Sequence, residues 1–91
     1  MTESALPGAE LVEQGLADLR DRRESIAALL VSIGAGRLTA AGYDVVDPFD
    51  NADHRLFELL SKDDPDSAHG RYNTLIRRLV SFERAAECVA P

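Results

Sequence analysis

The sequence predicts an all-α fold: a long antiparallel helical hairpin with a short helix between its arms, closed as a three-helix monomer or as a four-helix-type dimer. Three observations carry this expectation. Two long stretches space their apolar residues in steps of four and three, which is helical periodicity. The one strand-like run, Tyr43 to Val46, is too short to build a sheet. Helix formers outnumber β-branched residues through the second long stretch.

The first long helix is expected over about residues 9–33. Val12, Leu16, Leu19, Arg23, Ile26, Leu30 and Ile33 share one stripe, which Leu11 and Leu29 widen. Pro7 suits a helix start and Gly34 and Gly36 suit its end. Gly15 lies inside the pattern and costs about 1 kcal/mol relative to Ala. Arg23 occupies an apolar position. It is either a buried charge paired with Glu58 or Glu87, fixing register, or a side chain that reaches out to water. The second reading is favoured.

Arg37 to Ala41 suggests one turn of helix, stopped by Gly42. Pro48 and its neighbouring aspartates read as loop. Asp50 or Asn51 would cap a short helix over about 51–61, with Leu56, Phe57, Leu59 and Leu60 on its apolar side. The acid-rich stretch Asp47 to Asp53 is expected to be the least ordered part away from the termini. Residues 1–6 are expected to fray. The second long helix is expected over about 65–88, with Ala68, Tyr72, Leu75, Leu79, Phe82, Ala86 and Val89 on its stripe. Asp64 and Pro65 provide its cap and first turn.

The core or dimer seam is therefore expected from Leu16, Leu19, Ile26, Leu30 and Ile33 against Tyr72, Leu75, Leu79 and Phe82. Ninety-one residues suffice for a single domain, 1–91, with a small core. Two helices of about 35 Å leave the outer edges of their stripes open. A homodimer would bury them, as a four-helix bundle does.

The net charge is −6, unevenly placed: residues 1–36 carry −3, residues 37–66 carry −5, and residues 67–91 carry +2. A chain of this balance repels polyanions, so nucleic acid and acidic membrane surfaces are disfavoured partners. No apolar run is long enough to span a bilayer, and the N-terminus has no secretory pattern. A lone cysteine fits a reducing cytoplasm. Nine arginines against one lysine, with abundant alanine, suggest a GC-rich bacterial genome.

Candidate chemistry is sparse. Asp44, Asp47, Asp50 and Asp53 with His54 could hold a cation, but the spacing misses the calcium-loop pattern and the set lacks zinc ligands. His54 and Glu58, four apart, could move a proton, as could His69. No nucleophile motif, P-loop or dinucleotide fingerprint accompanies them, and Cys88 lies near the end. No catalytic residue, metal or cofactor is expected. Arg71, Arg77, Arg78 and Arg84 form two rows on the last helix. They would bind an acidic partner, contact phosphate, or pair with Glu13, Asp21 and Glu24 of the first helix. The expected function is that of a small acidic, non-enzymatic protein-interaction module: an adaptor, an inhibitor or an antitoxin-like regulator. Its partner would be another protein, or a second copy of the chain. The alternative is a weak nucleic-acid-binding regulator that uses the arginine rows.

Overall fold

A computed structural model describes residues 8–89. The described residues form five helices and no strand: α1 (Ala9–Arg20), α2 (Ile26–Ile33), α3 (Ala35–Ala40), α4 (Ala52–Asp63) and α5 (Ala68–Val89). The all-α expectation holds. Pro7 and the fraying expected at 1–6 lie outside the described residues.

The expected helix over 9–33 is not continuous. It breaks between Arg20 and Ile26, and α2 folds back onto α1. The reason is local. Arg20 to Ser25 is six consecutive polar residues, so a helix continued through them would bury nothing. Arg22 takes a left-handed conformation (φ 55°), and the Arg23 N–H donates to the Asp18 carbonyl at 2.8 Å. Ser25 is extended, and its hydroxyl accepts from the Ala28 N–H at 3.0 Å, capping α2. The same hydroxyl donates to the Asp18 carboxylate at 2.7 Å, and Gln14 donates to its other oxygen at 2.8 Å. Asp18 is buried, so its charge is held by hydrogen bonds within the turn. Ser25→Ala removes the cap and one of those donors together. It is expected to lower stability by about 1–2 kcal/mol, read from urea denaturation.

Folding back makes α2 the centre of the molecule. Every residue from Ala27 to Ser32 is buried, which suits a helix that is apolar all round and is covered by α1, α4 and α5. Gly15 permits the closest approach. A Cβ there would sit 2.3 Å from the Ala27 carbonyl oxygen and 2.7 Å from Val31 Cγ1. The glycine that costs α1 helix propensity is what lets α1 and α2 touch.

The seam predicted from sequence is thus internal to one chain. Leu16, Leu19, Leu30, Leu79 and Phe82 are buried in the core, and Ile26, Ile33, Tyr72 and Leu75 pack against it half-buried. The pairing differs from a simple hairpin of two long helices. The face of α5 lies against α2, α4 and the start of α1, where Gly8 approaches the Arg78 carbonyl and Phe82.

The middle segment agrees with expectation at α3 and departs from it at Asp47 to Asp53. α3 ends before Gly42, which has a positive φ of 102°. The stretch Asp47 to Asp53 is anchored rather than loose. Phe49 packs on the core and its N–H donates to the Ser32 hydroxyl at 3.1 Å. The guanidinium groups of Arg22 and Arg55 both lie over its ring, at 4.5 and 5.0 Å from the centroid. Arg22 donates to the Asp47 carbonyl at 2.6 Å and Arg55 to that of Asp50 at 3.3 Å. α4 begins after Asn51, which is left-handed (φ 52°) and caps through no side-chain bond. α5 starts three residues later than the sequence suggests. Asp64 instead organises the preceding turn, accepting from the Asp66 N–H and the Ser67 hydroxyl at 3.2 and 3.0 Å.

Candidate functional site

α5 runs along the outside of the bundle, and its two sides differ. The buried side carries Ala68, Leu79, Phe82, Glu83 and Ala86. The solvent side carries Asn73, Thr74, Arg77, Arg78, Ser81 and Arg84, all exposed. Helical periodicity puts Arg77 and Ser81 along its middle, Arg78 at one edge and Arg84 toward the other, where the exposed Glu87 is close enough to feel it.

The arginines divide into two groups. Arg71 Nη1 lies 2.7 Å from Asp63 Oδ2, so it is tied to the end of α4. Arg77, Arg78 and Arg84 form no ion pair with any described residue. The helix-one acids named in the sequence do not neutralise them. Glu24 is engaged by Arg55, whose Nε donates to Oε2 at 3.0 Å, and Glu13 and Asp21 are exposed and form no ion pair with a described residue. Arg23 pairs with neither Glu58 nor Glu87. It is exposed and reaches back to Asp18 at 3.7 Å.

The two acids of α5 are both drawn to one cation on α3. Arg37 donates from Nε and Nη2 to the two oxygens of Glu87, at 3.0 and 2.8 Å. Its Nη1 lies 3.1 Å from Glu83 Oε1. These residues escaped the sequence reading, although Ile76, Val80, Glu83 and Glu87 form a second row with steps of four, three and four. Hydrogen bonding to Arg37 holds the Glu87 carboxyl below the usual carboxylate range and raises Arg37 in turn. Glu83 is only 3% exposed, and burial pushes its carboxyl up against the opposing pull of Arg37. Asp18 is held down, chiefly by the Ser25 hydroxyl.

The signs of the resulting pH effects differ. Asp18 and Glu87 contribute stability above the ordinary carboxylate range, lost as pH falls through their depressed values. Glu83 works the other way. Stability falls as pH rises from its ordinary value through its raised one, because only the unfolded chain ionises it freely. Glu83→Gln is therefore expected to match or exceed the parent in urea midpoint at neutral pH, with that decline removed. A lower midpoint at neutral pH would mean that the Glu83–Arg37 pair is a net stabiliser.

The remaining sequence candidates are scattered. Asp44, Asp47, Asp50 and Asp53 are exposed, and among the described residues no three His, Cys, Asp or Glu side chains converge on a point. His54 Nε2 and Glu58 Oε2 lie 3.3 Å apart on the open surface of α4. The His69 ring sits at the edge of Phe57, whose ring also meets Tyr72. Cys88 is exposed as a free thiol. Among the described residues no helix is long and apolar enough to cross a membrane. Compared with known protein families, curated proteins and solved structures, the chain shows no significant match to any of them.

Proposed function

We propose that this chain is a non-enzymatic interaction module of the bacterial cytoplasm whose exposed α5 face receives an acidic segment of another protein. One observation supports the reading above the rest. Arg77, Arg78 and Arg84 stand exposed on one side of α5 without ion-pair contacts among the described residues, and the one acid near them, Glu87, is held by Arg37. Arg22, Arg23, Arg37, Arg55 and Arg71 each have one, and Arg20, also without an ion pair, stands alone on α1 rather than in a group. Arginine presents a planar fork suited to carboxylates, and three on one face form a local recognition surface.

Net charge separates the two polyanionic classes of partner. A short acidic segment contacts α5 alone, and the acids elsewhere on the chain are screened beyond about 8 Å at physiological salt. A duplex extends its charge past the face and meets the rest of a −6 molecule. The sequence argument for self-association was a seam left partly open. Most of those seam residues pack within one chain, with Ile26, Ile33, Tyr72 and Leu75 left half-buried, so the arginine side of α5 rather than the seam is the surface proposed for a different protein. Adaptor, inhibitor and antitoxin-like roles all use such a face. The exposed Cys88 thiol and the lone cysteine fit a reducing compartment.

The test is binding of a fluorescent poly-glutamate peptide and, separately, of a random-sequence DNA duplex, followed by anisotropy at low and physiological salt. The peptide is expected to bind in a salt-sensitive way. The double reversal Arg77→Glu with Arg84→Glu should weaken it by about tenfold or more, mainly through slower association, with the melting temperature little changed. Tighter binding of the duplex at physiological salt, lost in the same variant, would make this a nucleic-acid-binding protein. Peptide binding indifferent to the reversal would remove α5 as the site.

A further inference from the structure

On another flank of α5, away from the arginine face, a cleft of about 300 Å³ lies between the α2–α3 junction and α5. Ile33, Ile76, Leu79 and Val80 give it apolar walls, Gly34 and Gly36 open it to the chain, and Arg37 and Glu83 are its charged groups. Small-ligand sites are commonly of this kind: apolar, with one or two fixed polar groups.

Glu83 is the unusual part. Its side chain is 4% exposed, yet only one oxygen faces a cation. Oε1 lies beside Arg37 Nη1, while the other two guanidinium nitrogens of Arg37 donate to Glu87. Oε2 lies at Gly34, within 2.5 Å of where a Cβ would stand, and accepts no hydrogen bond from a described residue. Two carboxylates thus share the Arg37 guanidinium, and Arg84 acts only on the outer one, Glu87. The unmatched charge falls on the buried member, in the cleft. A buried carboxylate in that condition is costly, and a second cation would relieve it.

We propose that this cleft binds a small primary alkylammonium, with the ammonium on Glu83 and the alkyl chain between Ile33, Ile76 and Val80. The ammonium supplies the missing charge as a compact donor. The apolar walls exclude strongly hydrated inorganic cations, which would lose their shell without oxygen ligands to replace it. Gly34 lets the Glu83 carboxylate and Leu79 pack directly against the backbone, where any side chain would displace them. A larger groove, about 580 Å³ beside Ile26 and Leu75, is a weaker candidate, since its charged residues Asp66 and Arg71 lie at the surface and Arg71 is tied to Asp63.

The probe is n-butylammonium chloride titrated into the full chain, with amide resonances of Gly34, Gly36 and Arg37 as the readout. Saturable shifts confined to those residues and to Ile76 and Val80 are expected. 1-Butanol, which matches its shape without the charge, should bind at least about tenfold more weakly, as loss of a charged hydrogen bond implies. Glu83→Gln and Val80→Trp should each abolish the saturation. The comparison of butylammonium with butanol needs no variant, so it stands even if one fails to fold. Equal binding of the two probes, no saturable shift in the millimolar range, or saturation unchanged in a folded Glu83→Gln would overturn the proposal.

Discussion

Leu30→Asp is expected to abolish cooperative folding. Leu30 is fully buried in α2, the helix that α1, α4 and α5 enclose. The substitution forgoes about 1.5–3 kcal/mol of apolar burial and places a carboxylate with no cation where water does not reach, which costs several kcal/mol more. A domain of this length has a total stability of roughly 5–14 kcal/mol. Loss of near-ultraviolet dichroism and of a melting transition is the expected reading. Leu79→Asp acts in the same direction with a smaller effect. Leu79 borders the cleft beside Gly34, so its carboxylate can turn toward solvent. A Leu30→Asp protein that melts like the parent would mean α2 is not central.

Gly15→Ala separates the packing account from a propensity account. Propensity alone gives a gain of about 1 kcal/mol for alanine within a helix. The contacts give the opposite sign, because the new methyl would overlap backbone atoms of Ala27 as well as Val31 Cγ1. Backbone atoms cannot swing aside as a side-chain tip can, so α1 must move off α2. Overpacking of this kind costs typically 1–3 kcal/mol, and more where two helices must part. The expected result is a net loss of about 2 kcal/mol or more in urea denaturation. A gain in midpoint would show that the helices do not approach at this residue.

The sequence revealed α5 well because one side of it is apolar and the other polar along its whole length. The break at Arg20 to Ser25 was masked by periodicity. Val12, Leu16 and Leu19 are spaced so that Ile26, Leu30 and Ile33 continue their count across the turn. A signal was present in the six polar residues and in a serine just before an apolar run, the pattern of a new N-cap. The exposure of Arg77, Arg78 and Arg84 follows from helical geometry and was legible. The capture of Arg71 by Asp63 was not, since it depends on how the α4–α5 turn folds. Phe49 was overlooked among acids, although two arginines from distant segments lie over its ring. Glu83 could be recognised only once α3 was known to bring Arg37 beside α5, because a lone Glu on a helix flank is ordinarily solvated.

Both proposed sites depend on the reversal at residues 21–25. It packs the seam residues within one chain, with the arginine side of α5 facing outward, and it delivers the α2–α3 junction to Glu83. The most direct test is the nuclear Overhauser effect between the Gly15 α-protons and the Val31 methyl groups. The folded-back arrangement places these groups in contact, so a strong cross-peak is expected in a sample diluted to exclude contacts between chains. A continuous helix over 9–33 would hold the two residues about 24 Å apart along its axis. Absence of the cross-peak, with continuous helical connectivities through Arg22 to Ser25, would contradict the account.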